Sequence, residues 1–343
     1  MESLQKFEKV SGFPDLASSI RKLEVYTFYL PPLEDLLEIL AQDAAESFSI
    51  ASMEDTEINI DASHMRGNSS QFEDKDCPDD ESYCKYWEGQ QQMIDDNQIF
   101  RVLSKGMKSL TKCRKNAFNH NDIPWSNSHR AEGLDYLSKI SSPTREESSD
   151  FVRRVVQDFL TASYESRLQL DDVDIHAGSF MDDAHCIIPN QPPCLENSIS
   201  SLCRLYLHID PSFEGTSRLG QFISCFPKLT DFGLETFSNL CQHNPAGILL
   251  DITIPDLAKL SLSQLNCTAD ELENFFLAHS ETLREINLVW VELDDTRHWR
   301  KIMQILRGRM PSVKLKMDSC VRGKMWEADS TQELIEIMHE SDE

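Results

Sequence analysis

The densest run of groups able to do chemistry is Asp182-Asp183-Ala184-His185-Cys186, with Cys194 and Cys203 downstream. An imidazole next to a thiol could activate a nucleophile, and the same groups could ligate zinc. Zinc sites, however, draw on close ligand pairs, and this spacing fits no finger. The chain has 12 glycines and shows no G-x-G-x-x-G, no phosphate-cradling loop and no G-x-S-x-G elbow, so nucleotide binding and elbow-type hydrolysis lack their motifs. The expectation is a protein that is not an enzyme and holds no metal and no cofactor. A cryptic hydrolase using His185 and Cys186 is the alternative of another class. Conservative replacement of those two residues separates the readings, since it abolishes activity only for a hydrolase. His176, His208, His279 and His298 are dispersed and read as surface or helix-side residues. Asp294-Asp295 reads as the start of a helix, and Trp87, Trp125, Trp290 and Trp299 read as packing residues.

The elements that would position any site are clearest in residues 257–293. This stretch carries a short apolar strand (Leu257, Leu260, Leu262), a capped helix, and a second strand of the same pattern (Leu283, Ile286, Leu288). The pattern L-x-x-L-x-L recurs on both sides. Its middle apolar residue is Leu205, Phe232, Leu260, Ile286 and Val313, in steps of 27, 28, 26 and 27 residues. Repeats of 20–29 residues with a strand and a helix each are leucine-rich repeats, whose units share one core because none can bury its apolar face alone. Helices fall between the strands, among them Leu219, Phe222, Ile223 and Phe226 on one face, and Trp299, Ile302, Met303 and Leu306 on another. Thr268-Ala269-Asp270-Glu271 reads as a capping box, and Ser330 to Glu333 opens a last amphipathic helix that would cap the stack. The ninth position of each unit, where Asn or Cys would bond the turning backbone, holds Asp210, Phe237, Leu265 and Val291. The expectation is therefore an irregular solenoid of the α/β class. It would be right-handed, with parallel strands on the concave face and helices on the convex face.

Upstream the same logic continues less regularly. Residues 1–50 read as an N-terminal strand–helix unit, with a short strand in SIRKLEV and a helix carrying Leu33, Leu36, Leu37 and Leu40. Residues 51–90 hold eleven acidic and three basic side chains and few aliphatic ones, which reads as a disordered acidic insertion. The solenoid then occupies 91–343. Within it, a helix is expected over about 91–110 and a Pro143-initiated helix buries Phe151, Val152, Val155, Val156, Phe159 and Leu160; RLQLDDVDI follows as a strand.

Charge narrows the partners. There are 33 basic and 58 acidic residues in 343, a formal net charge of -25. Phosphate backbones and anionic lipid surfaces would repel such a chain, so neither nucleic acid nor membrane is expected, and a basic protein surface is the natural electrostatic partner. The N-terminal MESLQKFEKVSGF has no apolar core run, and no stretch has the roughly 18 apolar residues of a membrane span. The ten cysteines show no C-x-x-C pair, and Cys203, Cys225 and Cys241 fall inside apolar patterns. Free buried thiols and a cytoplasmic or nuclear location are expected.

Three stretches also resemble fungal F-box proteins with degenerate leucine-rich repeats. They are SLQKFEKVSGFPDLASSIRKLEV, YCKYWEGQQQMIDDNQIFRVLSKGMKSLTKCRKNAF, and the run from LAKLSL to VKLKM. The resemblance implies a substrate receptor of a cullin-type ubiquitin ligase, with the repeats holding the target. LPPLEDLLEIL at 30–40 resembles the opening of an F-box, but the segment that follows an F-box in that family precedes it here. The F-box itself is read as absent or degenerate, and 30–40 as a solenoid helix. A cullin-ligase adaptor is then a partner only if a degenerate F-box works.

What remains is the sheet face opposite the leucines. Side chains alternate along a strand, so the residues between the leucines point outward together: Arg204, Tyr206 and His208, Asp231 and Glu235, Lys259, Ser261 and Ser263, Glu285 and Asn287, and Lys314 and Lys316. This polar face of mixed sign suits protein recognition better than an apolar pocket. The expected function is a non-enzymatic scaffold binding a protein partner there, with a free-standing repeat protein unconnected to ubiquitin transfer as the alternative.

Overall fold

The computed structural model describes residues 2–26, 30, 32–34, 80–119, 146–176, 201–209, 216–236, 247–293, 297–321 and 324–328. Short strands in regular succession dominate it: β1 (Lys22–Tyr26), β2 (Lys115–Asn119), β3 (Asp172–His176), β4 (Arg204–His208), β5 (Asp231–Glu235), β6 (Lys259–Ser263), β7 (Asn266–Cys267), β8 (Glu285–Val289), β9 (Glu292–Leu293), β10 (Lys314–Val321) and β11 (Lys324–Ala328). Among the described residues they form one nine-stranded sheet in the order β1-β2-β3-β4-β5-β6-β8-β10-β11, and a two-stranded sheet of β7 and β9. Every pairing from β1 to β10 is parallel. Strand order follows chain order, with a helix returning the chain in most crossovers. That is a solenoid of the α/β class.

The apolar rows explain the stacking. Leu205, Phe232, Leu260 and Ile286 align across β4, β5, β6 and β8, and all are buried in a core that takes in Phe222, Phe276 and Trp299 from the helices. One residue differs from the sequence expectation. Ile286 pairs with Leu315, not Val313. Val313 is buried too, but it lies in the turn before β10, where its N–H bonds Met310 O at 3.1 Å. A slip of two residues keeps each side chain on its own face, so the spacing alone does not reveal it.

The ends of the strands are held by main chain. Ile209 N bonds Glu235 O, Thr236 N bonds Ser263 O, Gln264 N bonds Val289 O and Trp290 N bonds Asp318 O, at 2.8 to 3.0 Å. Gln264 and Trp290 turn the chain with φ of 54° and 55°, which sends Leu265 and Val291 into the core. Backbone bonds thus take over the work expected of an Asn or Cys ladder. The last parallel strand is covered by β11, which runs antiparallel to it. The helix expected from Ser330 onward lies outside the described residues.

Several elements depart from their predicted bounds. The helix expected over 91–110 is two helices, Asp80–Asp95 and Gln98–Met107, separated by Asn97 at φ 51°. Residues 80–90 are therefore helical rather than part of the disordered insertion; 51–79 lie outside the described residues. The helix Glu146–Glu165 packs on Gln98–Met107 and buries the expected face, with Phe159 meeting Phe118 of β2 edge-on at 4.8 Å. The capping box is half formed. Thr268 Oγ1 accepts from Glu271 N at 3.2 Å, but the Glu271 carboxylate instead accepts from Gly247 N at 3.1 Å and Leu249 N at 2.7 Å, pinning the preceding unit's turn. His279 is buried, not on the surface. Its Nδ1 donates to Phe275 O at 2.7 Å and its Nε2 accepts from Ile254 N at 3.2 Å. Among the cysteines, Cys113, Cys267 and Cys320 are buried but Cys203 is exposed, and Cys241 lies outside the described residues. Burial pushes the Cys320 thiol up to about 11. No described helix is long and apolar enough to cross a membrane.

Two stability measurements follow from the core. Asn116 is 2 % exposed in the row of Leu23 and Val173, and its amide has no hydrogen-bond partner among the described residues. Because a buried unpaired amide is costly, Asn116→Leu is expected to stabilise by about 1–2 kcal/mol in urea unfolding; a loss of stability would contradict the burial argument. Burial also holds the His279 imidazole below its usual 6.5, although the Phe275 carbonyl opposes this. Its contribution is complete above the unfolded value and declines as pH falls below it, since the unfolded chain takes up the proton first. Stability of the native chain is thus expected to drop more between about pH 7.5 and 5.5 than that of His279→Gln.

Candidate functional site: the open face of the sheet

The register that aligns the leucines also aligns the residues between them into three rows on the face away from the helices. At the strand starts Lys115, Asp172, Arg204 and Asp231 are neighbours, followed by Lys259, Glu285 and Lys314. From β2 onward the sign alternates at every strand. Residues directly opposite on adjacent strands stand about 5 Å apart, where like charges repel and opposite charges pair. Lys115 Nζ is 3.2 Å from Asp172, and Arg204 reaches both Asp172 and Asp231 at 3.7 Å. Lys259 Nζ is 3.0 Å from Glu285. Burial pushes the Asp231 carboxyl up, against the pull of Arg204 and Lys259.

The middle row is shaped by one missing side chain. Tyr206 lies beside Gly233, and a Cβ built at Gly233 would land on the Tyr206 ring. The ring therefore occupies space that any other residue would fill. The Arg204 guanidinium covers it 4.8 Å from the centroid, a cation–π contact. Further along, Asn287 Nδ2 donates to Ser261 Oγ at 3.0 Å, and Lys316 is next in register.

At the strand ends the titratable groups converge. His176 and His208 stack with centroids 4.3 Å apart and planes at 17°. His208 Nε2 is 3.5 Å from Asp174 and its Nδ1 2.9 Å from Glu235. Glu235 also accepts from Gln264 Nε2 at 3.0 Å. Burial alone would lower the His208 pKa, but the contact with Glu235 and the charges of Asp174 and Glu235 outweigh it, so the net shift is upward. The His208 contact holds Glu235 below the usual carboxylate range, against burial. Asp174 moves up through burial, which its histidine neighbours only partly offset.

All twelve residues expected on this face lie in these rows, Ser263 next to Glu235 at the strand ends. Arg204, Tyr206, His208, Asp231 and Glu235 form one contiguous cluster, while Lys259, Ser261, Glu285 and Asn287 continue it toward Lys314 and Lys316. Sequence reasoning missed Asp172, Asp174 and His176 of β3, although D-V-D-I-H repeats the polar–apolar alternation of R-L-Y-L-H. It also missed Gln264. Trp290, expected to pack, is 57 % exposed at the rim, whereas Trp299 is buried. His185 and Cys186 lie outside the described residues, and no group of three or more His, Cys, Asp or Glu among the described residues could hold a metal ion.

No protein-family model and no curated protein matches the chain. Among solved structures the chain is similar to the leucine-rich repeat-containing protein LegL7 from Legionella pneumophila. The two are 12% identical over 69% of this chain and 75% of that one, with a TM-score of 0.32. The repeat architecture described above rests on this chain's own strand register.

The seat of Tyr206 can be tested by a mutant cycle. Gly233→Ala is expected to cost about 1–3 kcal/mol by overpacking against the ring. In a Tyr206→Ala background most of that cost should disappear. Equal costs in both backgrounds would show that the ring does not need the glycine.

Proposed function

We propose that this chain is a non-enzymatic scaffold that binds a protein partner across the open face of its sheet. The observation that carries the reading is the face itself: a contiguous polar surface of alternating charge, left clear by the described helices, with Arg204 and Tyr206 on β4 and the histidine pair at the strand ends beside them. Tyr and Arg are the residues most often found at the energetic centre of protein interfaces. The paired charges around them supply register and specificity more than affinity. A net charge of -25 favours a partner with basic patches over one bearing phosphates.

A narrower form of this reading comes from the F-box resemblance: the repeats would hold the target of a cullin-type ubiquitin ligase. The repeat fold supports the target-holding half. Recovery of the ligase adaptor together with the partner would support the other half, and recovery of the partner alone would favour a free-standing repeat protein.

The test begins with capture of a reproducible partner by the full chain. Tyr206→Ala, Lys259→Ala and Lys314→Ala combined should then weaken that binding at least about tenfold, equivalent to about 1.4 kcal/mol. Lys301→Ala on the helical side, in the helix His298–Arg309 where Lys301 pairs with Asp270 and Glu273 of the helix Ala269–Ala278, should leave it unchanged. Binding indifferent to the triple substitution would overturn the assignment of the face.

A further inference from the structure

At the strand ends of β3, β4 and β5 the open face gathers two stacked imidazoles and two carboxylates within contact distance, an arrangement that can respond to protons. The response inferred here rests on the reading of that face as a partner surface. His208 is bracketed by Asp174 from β3 and Glu235 from β5, and its ring faces His176 from β3 at 4.3 Å. Among the described residues the next charged groups lie at the strand starts: Asp172 on β3, Arg204 on β4 and Asp231 on β5. Tyr206 is 6.3 Å from the His208 ring, and Gln264, from the turn after β6, holds Glu235. On the far side, β2 places the uncharged Asn119 next to His176 in register.

An imidazolium at His208 answers both carboxylates at once. A second imidazolium could form only on the facing ring, where a like charge at this separation disfavours it. Groups coupled in this way lose their protons in two steps that belong to the pair. A nearly parallel stack is compatible with one charge and is opposed by two.

We propose that the His176–His208 stack is a pH-sensitive element of the docking face: one ring holds a proton between Asp174 and Glu235, and a second proton, entering on the facing ring, parts the stack and reshapes the surface offered to a partner. At the strand ends this would replace a flat, paired patch with two cations, disfavouring a basic partner.

The imidazole C–H resonances of the full chain, followed by NMR from about pH 8 to about pH 5, test the device without any partner. Both rings of the native chain are expected to report both steps. His208→Gln should raise the His176 midpoint, because the facing charge is gone, and Glu235→Gln should lower the His208 midpoint. Independent single steps for the two rings, or a His176 midpoint unmoved by His208→Gln, would overturn the coupling. Should His208→Gln unfold the chain, the Glu235→Gln comparison decides. Partner capture by the native chain is then expected to fall several-fold across the second step, and His176→Gln to remove that fall. Capture that stays flat across an intact coupled titration would overturn the regulatory role. Capture indifferent to Tyr206, Lys259 and Lys314 would instead mark the failure of the docking reading.

Discussion

Each strand of this protein carries alternate apolar residues that no single strand–helix unit can cover, and the structure depends on neighbouring units sharing them. Leu205, Phe232, Leu260, Ile286 and Leu315 form one row, and Leu207, Leu234, Leu262, Leu288 and Met317 the next. Fully burying side chains of this kind contributes roughly 1.5–3 kcal/mol each relative to exposure. A register change of one residue between any two strands would send a row to the wrong face. Parallel in-register pairing is therefore imposed by the core. The β11 hairpin at the C-terminal edge protects the last parallel strand from open-ended pairing.

The chemistry of the open face is a consequence of that same register. Once the leucines align, the residues between them must align too, and their charges have to tolerate neighbours at about 5 Å. Alternation from Lys115 to Lys314 meets the requirement in the strand-start row. In the strand-end row His208 lies next to Glu235 and stacks on His176, while Asp174 of the middle row reaches its other ring nitrogen. Gly233 contributes by absence, leaving room for a tyrosine ring that Arg204 then covers. Neighbouring ion pairs and the stacked rings thus hold this surface in one arrangement.

The sequence is most legible where period and parity coincide. Regular leucine spacing marks β4, β5, β6 and β8, and parity alone assigns Arg204, Tyr206, Lys259 and Asn287 to one face. Parity even survives the slip at Val313, since a two-residue shift returns Lys314 and Lys316 to the same side. Legibility fails where a single residue's backbone or a distant partner decides. Asn97 breaks a helix through its left-handed backbone, and Gln264 and Trp290 turn the chain in the same conformation without being glycine. Glu271 looks like a local cap, but the unpaired N–H groups of Gly247 and Leu249 claim its carboxylate. His279 carries no sequence mark of burial; its two ring nitrogens become useful only once Ile254 and Phe275 are brought together.

The central claim is that partners meet the sheet's open face and not the helical side. Hydroxyl-radical footprinting of the full chain, alone and with its captured partner, addresses that most directly. Protection should concentrate on Tyr206, His208 and Trp290, while the exposed Leu277 and Leu250 on the helical and turn side keep their reactivity. Protection of Leu277 and Leu250 with Tyr206, His208 and Trp290 unchanged would contradict the claim and move the docking surface to the opposite side of the solenoid.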